Sequence, residues 1–580
     1  MKKIIKKGMN YFDLFNLYGF DAMWKRVENI KFHKRASLSV VKNVHIVSQA
    51  ELERQRKVKF SSNIKISVIT PLFNTPEQYL IELIESLKSQ TYSDWELCLA
   101  DGSDEKHSYV GDICRKYQKE DNRIIYKTLE KNEGISENTN ECIKLATGEY
   151  YGLLDHDDLL HPSALFEIML AIEKYKAEFI YTDEAKFSEN PEEIVSPVAF
   201  NFKPGFGKYD LRSHNYICHF TVFNKKLLDG EDRLYRAEYD GSQDHDMVLR
   251  LTEKTKNIVH IPKVLYYWRL HSNSVSMDLS SKSYAVDAAI HAVEAQLDRL
   301  GEEGEVRSNL PFQTIYKVSY KIGGEPLVSI VLHNANDISA IENNVREIIE
   351  RTDYRPIEFL YSGQEEINID SSPGICITNV EVGNRSSRGK MWNSLIGRAK
   401  GDYIVLMDAK SIPAKADWLE EMLMLVQKKD VFVVGPKIYY SDQTIAYAGG
   451  ALWKTEKDKI KIIGAHDLLP DMGYEALLQH VRNTTFALAA CMSFSKKDWE
   501  EQHGFSEEDS GYEDIEFCLK GLDKGKNNVW TCFALIHFRG KETIFSSVSE
   551  VYAEKFLKKN EKYFEQESYY HNSWETMGLV

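Results

Sequence analysis

The chain is built on an internal repeat, and a repeat of this length constrains the architecture more than any single motif does. The first copy opens with IKISVITPLFN, a β-branched run that ends in a proline turn and reads as a buried strand; the second opens with PLVSIVLHNAN. LKSQTYSDWELCLADGS then faces IIERTDYRPIEFLYSGQ, in each case helix end, turn and strand. NEGISENTNECIKLATGEYYGLLDHDDLLHP faces NRSSRGKMWNSLIGRAKGDYIVLMDAKSIPA. GSQDHDMVLRL faces SGYEDIEFCLKG, and NIVHIPKVLYYWRLHS faces NNVWTCFALIHFRG. The interval from Ser67 to Asp155 is close to that from Ser329 to Asp408. Asp155 to Asp244 is matched by a somewhat longer Asp408 to Asp514.

Each copy alternates apolar strands with amphipathic helices, the pattern of a mainly parallel α/β sheet covered on both faces. The expected fold is two tandem α/β domains, with ligands beyond the carboxyl ends of the strands, where the motifs fall. The expected boundaries are 1–60 for a basic amphipathic arm and charged connector, 61–300 for the first copy and 301–324 for a polar linker. The second copy takes 325–545, and 546–580 forms a helical tail whose aromatics pack between domains.

Charge is unevenly spread. The 580 residues carry a net charge of −15, which excludes wrapping of a nucleic-acid backbone. Residues 1–42 nevertheless hold ten Lys/Arg against three acids, interleaved with Tyr11, Phe12, Phe15, Tyr18, Phe20 and Trp24. Such a helix either lies on an anionic membrane, through residues 1–48, or packs its aromatics on the acidic body. No run approaches the about 18 apolar residues of a membrane span, and no signal peptide is evident. None of the eight cysteines forms a CxxC pair, and most sit in apolar runs. They read as reduced and buried, in a cytoplasmic protein whose arm makes any contact with the inner face of the membrane.

The chemistry-bearing residues gather in the first copy. Asp155, His156, Asp157 and Asp158 follow the strand YYGLL, and carboxylates two apart at such an exit can hold Mn²⁺ or Mg²⁺. The bland alternative is a turn with an Asp cap. Asp101 ends another strand, where an acceptor-only side chain can hold a nucleobase N–H. NEGISENTN, with Gly134 and Asn140, sets small and amide residues ahead of a helix, suited to backbone contact with a ligand. Asp244 opens a helix as either an N-cap or a general base. His271 follows an aromatic strand and could complete a metal shell.

With these motifs in order, the first copy resembles the family 2 glycosyltransferases, which have the GT-A fold, a Rossmann-like α/β sheet. TPLFNTP, CLADGSD, NEGISENTN, LLDHDDLL, SQDHDMVLRL and LYYWRLHSNS follow the family's order over residues 61–280. The pairing of two such domains is similar to bacterial enzymes that build rhamnan, O-antigen or capsule. The resemblance implies an inverting transferase that moves a hexosyl or rhamnosyl group from a nucleotide-diphosphate sugar to a growing polysaccharide or lipid-linked glycan. It favours UDP- or dTDP-sugars over GDP-sugars. Thr70, Pro71, Phe73, Asn74, Asp101, Gly134, Asn140, Asp155 and His156 would contact the nucleotide sugar. Asp155, Asp157 and His271 would hold the metal, and Asp244 would be the catalytic base. Asp183, Glu184, His214 and Asn215 would border the acceptor or donor sugar. One departure is ADGSD where many members have DDGS, which weakens the base contact of Asp101.

The second copy is altered at the same places. The DxD register reads Asp408, Ala409, Lys410, and an ammonium there repels a cation. Arg385, Arg388 and Lys390 replace small residues, while Glu513, Asp514 and His537 persist. The second domain is thus either a scaffold or a metal-independent transferase. A wholly non-catalytic assembly protein is disfavoured by the intact first set. A nucleotidyltransferase is disfavoured by the motif order.

Overall fold

The computed structural model describes residues 41, 43–271, 283–309, 311–334, 337–369, 373–382, 386–453, 460–465, 467–540, 542–545, 550–565 and 569–577. The basic arm up to residue 40 and Arg385 lie outside them.

In the first half, nine strands form one sheet. They are β1 (Ile66–Leu72), β2 (Trp95–Asp101), β3 (Ile124–Thr128), β4 (Tyr150–Leu153), β5 (Leu159–Leu160), β6 (Phe179–Phe187), β7 (Phe200–Asn201), β8 (Thr221–Asn224) and β9 (Ile258–Arg269). Their order is β3-β2-β1-β4-β8-β6-β9-β5, with β7 on β6. The stretch read as a linker instead carries an antiparallel hairpin of β10 (Gly304–Asn309) and β11 (Phe312–Tyr320). The second half begins with β12 (Val328–His333), β13 (Ile357–Tyr361), β14 (Ile375–Asn379), β15 (Tyr403–Asp408), β16 (Ser411–Pro413) and β17 (Val431–Tyr440). It continues with β18 (Ile445–Tyr447), β19 (Gly450–Leu452), β20 (Ile460–Ile462), β21 (Arg482–Asn483), β22 (Cys491–Ser495) and β23 (Asn527–Phe538). Its main sheet runs β14-β13-β12-β15-β22-β17-β23-β16. When β12 is set against β1, the two sheets have the same strand order. The two-copy α/β architecture is therefore visible as topology.

The elements follow from side-chain period. Along β2, Trp95, Leu97 and Leu99 enter one apolar cluster and Cys98 and Ala100 the other, so the strand buries both faces as a period of two requires. The helix Glu77–Lys88 buries Leu80, Leu83, Ile84 and Leu87, and its counterpart Ile338–Glu350 buries Ile341, Asn344, Val345 and Ile348 at the same spacing. Each such buried aliphatic side chain contributes roughly 1.5–3 kcal/mol.

A polar network is also duplicated. Ser67 Oγ donates to Glu96 Oε1 at 2.6 Å and accepts from the Gly148 amide at 2.9 Å. Ser329 Oγ donates to Glu358 Oε2 at 2.7 Å and accepts from the Gly401 amide at 2.9 Å. Both networks tie the first strand of a copy to its neighbours at the end remote from the motifs.

The halves share one apolar cluster that includes Ile69, Phe202, Phe359, Trp530 and Trp574. The Tyr209 amide donates to Asn483 Oδ1 at 3.0 Å, and the Tyr209 hydroxyl lies 3.0 Å from Asp430 Oδ1. The tail folds back on the first half. Trp574 Nε1 donates to the Phe202 carbonyl at 2.8 Å, and His571 stacks on Phe202. All eight cysteines are free thiols; Cys376 is exposed.

Candidate active site

β1, β2 and β4 run parallel and side by side, so the loops after them share one edge. Asp101 closes β2 and is buried; Oδ2 accepts from the Tyr126 hydroxyl at 2.8 Å and Oδ1 from the Ser103 amide at 2.9 Å. Beside it, Thr70 is buried on β1 and its Oγ1 has no intramolecular partner. Pro71 pairs in register with Ala100, and Phe73 is exposed beyond the strand. Asn74 has φ of 50°, which turns the chain so that its side-chain amide reaches Asp104 at 3.1 Å. Gly134 has φ of 93° and opens the helix Ile135–Ile143. Asn140 is committed elsewhere, since Oδ1 accepts from the amides of Leu234 and Tyr235 and Nδ2 donates to the Tyr235 carbonyl.

The turn after β4 is pinned by its last acid. Asp158 is fully buried; Oδ2 accepts from the Tyr266 hydroxyl at 2.5 Å and Oδ1 from the Arg269 amide at 2.7 Å. Burial, then the charges of Asp157 and Asp155, pushes its carboxyl well above the usual range. Fastened to β9 in this way, the turn leaves the Asp155 side chain half exposed. Asp157 Oδ2 lies 2.7 Å from His271 Nε2 across the same edge, and His156 Nδ1 lies 2.5 Å from Thr75 Oγ1.

His219 reaches the turn from the other side. Its Nε2 is 3.4 Å from Asp155 Oδ2, and its Nδ1 is 3.3 Å from Glu184 Oε2. The ring stacks on Tyr266 at 4.8 Å. Burial opposes a charged imidazole, but the bonds to Asp155 and Glu184 outweigh it and push His219 well above the usual histidine value. Asp244 sits in the first turn of the helix Gln243–Glu253, two residues past Ser242, which occupies the cap. Its Oδ2 accepts from Asn215 Nδ2 at 3.0 Å and from the Cys218 thiol at 3.1 Å.

The structure gives two groups of potential metal ligands among the described residues: Asp155, Asp158 and His219, and Asp183, His260 and His571. In the first group Asp158 has both oxygens engaged, as above. In the second, Asp183 accepts from His260 Nε2 and His571 Nε2, each at 2.8 Å. The Ser573 amide donates to His571 Nδ1 at 2.9 Å, so that nitrogen bears no proton and Nε2 is the N–H that faces Asp183. A hydrogen-bonded latch fits this arrangement, and a metal does not. At the strand edge Asp157 and His271 face each other and Asp155 is half exposed, oxygen and imidazole donors of the kind a hard divalent cation takes, although Asp155 is grouped with Asp158 and His219 rather than with this pair.

The remaining expected residues have firm partners. Glu184 is buried against Lys203 Nζ at 3.0 Å and Asn201 Nδ2 at 3.1 Å. His214 caps the helix Lys208–Ser213, and burial, then His480, lowers it to about 4. In the second half, Asp408 accepts from Asn334 Nδ2 at 2.9 Å and from the Lys410 amide at 2.8 Å. The Lys410 ammonium pairs with Glu542. Arg388 Nε donates to buried Glu513 at 2.9 Å and its guanidinium lies 4.0 Å from Asp514. Asp514 also accepts from the Ala489 amide at 2.9 Å. Burial raises its carboxyl, and Arg388 only partly offsets this. His537 Nε2 lies 2.9 Å from Ser441 Oγ.

Cys218 and His219 join the candidate site by their contacts with Asp244 and Asp155, and the sequence reading passed over them. They lie in LRSHNYICHF, where only His214 and Asn215 drew notice, and an apolar run with two histidines does not reveal which one turns inward.

The profile of the family described as "Glycosyl transferase family 2" matches residues 67–230. The chain is 32% identical over 81% of its length to the uncharacterized protein y4gI of Sinorhizobium fredii, covering 52% of that protein. It is 27% identical over 76% of its length to the O-antigen biosynthesis protein RfbC of Myxococcus xanthus, covering 34% of it. The chain thus spans about half of one of these relatives and about a third of the other. A solved S. aureus TarS fragment in complex with UDP-GlcNAc aligns with 40% of this chain and 66% of its own, at 18% identity and a TM-score of 0.34. Among the described residues, no helix is long and apolar enough to cross a membrane. Residues 67–230 of this chain therefore form a domain of the family 2 glycosyltransferases.

Proposed function

We propose that the chain is an inverting, divalent-metal-dependent glycosyltransferase that uses a nucleotide-diphosphate sugar, with activity in the first domain. Its product would be a growing cell-surface polysaccharide or lipid-linked glycan, a reading supported by the name of the relative RfbC. The observation that carries the proposal is that Asp101, the Asp155–Asp157 turn and His271 stand at or just past the carboxyl ends of β2, β4 and β9, which run the same way in one sheet, while Asp244 has a firmly held carboxylate. Asp155, Asp157 and His271 would hold Mn²⁺ or Mg²⁺. Such an ion, when bound, supplies charge neutralisation for the leaving diphosphate.

The chain's own residues divide the remaining work. Asp101 meets the base, and Thr70 offers a buried hydroxyl to the nucleotide. Asp244 takes the proton of an acceptor hydroxyl as that oxygen attacks the anomeric carbon. One displacement breaks the bond to the diphosphate and inverts the configuration. In the second domain, the pairing of Lys410 and Arg388 with carboxylates supports a scaffold over a metal-independent site. The basic arm would bring the protein to the inner face of the membrane; equal liposome flotation with and without residues 1–48 would reject that.

The test is transfer from a panel of UDP-, dTDP- and GDP-sugars to a lipid-linked or short glycan acceptor, with and without EDTA. Asp157→Ala and Asp244→Asn should each reduce transfer at least a hundredfold. Undiminished transfer in both variants would sink the mechanism. Loss only with Lys410 or Asp514 substitutions would move activity to the second domain.

A further inference from the structure

The segment from Asn215 to His219 touches both ends of the proposed reaction path. Asn215 and Cys218 donate to the same oxygen of Asp244, Oδ2. Among the described residues no hydrogen bond engages Oδ1. Two donors on one oxygen fix the carboxylate plane and leave the other oxygen to receive a proton. One residue on, His219 bridges Asp155 and Glu184.

The segment is itself held from below. Lys203 is buried, and its ammonium donates to the carbonyls of Ile217 (3.2 Å) and His219 as well as pairing with Glu184. Thr221 Oγ1 donates to the Cys218 carbonyl at 2.7 Å. A buried ammonium fully occupied by carbonyls and a carboxylate is a rigid clamp, because releasing any partner leaves a charge poorly solvated.

We propose that Asn215–His219 is the positioning element of this transferase: Asn215 and Cys218 orient Asp244, and His219 fixes Asp155, so that one clamped segment sets the base against the donor. This rests on the reading of Asp244 as base and Asp155 as a donor-side residue. Asn215, Cys218 and His219 act through those carboxylates and are positioning residues.

Steady-state kinetics of the full chain, with whichever sugar nucleotide of the panel supports transfer, separates the two ends. Cys218→Ala should lower kcat about tenfold with the donor KM unchanged, since one bond to a charged group is lost on the base side only. Cys218→Ser, which keeps a donor, should restore most of that loss. His219→Asn should instead raise the donor KM several-fold. A Cys218→Ala variant with wild-type kcat, or His219→Asn with an unchanged donor KM, would overturn the proposal even though Asp244→Asn is inactive. Full activity of Asp244→Asn would overturn the base reading and this inference with it. Thermal melts of each variant identify any that simply unfold. If Cys218→Ala does so, an equal kcat for Cys218→Ser and Asn215→Ala would count against the proposal.

Discussion

Gly148 and Gly401 let the repeat be tested with a single methyl group. A Cβ on Gly148 would stand 2.6 Å from Ser67 Oγ and from the Lys65 carbonyl; one on Gly401 would stand 2.7 Å from Ser329 Oγ and 2.5 Å from the Leu327 carbonyl. Neither backbone can give way without parting the first strand from its neighbours. Gly148→Ala and Gly401→Ala should therefore each cost about 1–3 kcal/mol, read as matched losses in urea midpoint. Legibility at this scale depended on where partners lie in the sequence. Asp155 and Asp157 stood out because paired acids at the end of an apolar strand are unusual, and Asp244 because its motif keeps its place in the order of the others. Cys218 did not, because its value is a bond to a residue on another element. Asp183 was read as an acceptor-side acid, yet both its oxygens face imidazoles, one of them His571 from far along the chain. No local pattern announces that pairing.

The hairpin of β10 and β11 occupies the stretch that polar composition marked as a linker. Its core side shows why: β10 supplies only Val306 as a buried apolar residue, whereas β11 supplies Ile315, Tyr316, Val318 and Tyr320. Just before it, Glu302 gathers three cations, with Arg212 at 3.0 Å, Lys208 at 3.1 Å and Lys428 at 3.2 Å. Burial alone would raise its carboxyl, but Arg212 and then the lysines prevail and bring it from 4.5 to about 2. A carboxyl depressed by folding stabilises fully above its unfolded value and loses that contribution as pH falls through the folded one. The gain is about 3 kcal/mol near neutrality. Glu302→Gln should accordingly melt well below the parent at pH 7, with the gap narrowing as pH drops from about 5 towards about 2. A constant gap across that range would contradict this account.

At the scale of the whole molecule, sequence comparison revealed two copies, and the strand orders repeat that duplication. It did not reveal how the copies are joined, because the joint is made of single long-range bonds and shared packing. The tail is the clearest case. His571 bonds to Asp183 on β6, and Trp574 bonds to Phe202 just past β7. The next residue on β6, Glu184, leads through His219 to Asp155. His571→Ala with Trp574→Ala should raise hydrogen exchange across β6 in the first domain while leaving β12 and β15 protected; uniform protection would argue against a latch. The order of synthesis gives this latch a further consequence. Asp183 leaves the ribosome long before His571 does, so the first domain must wait, with that acid held by His260 and the Lys203 amide on Oδ1 and no imidazole on Oδ2, until nearly four hundred further residues have been made. A nascent chain stalled between residues 271 and 571 would hold the donor-side residues but lack the closing bond. Vectorial translation thus makes the completed second half a precondition for locking the first.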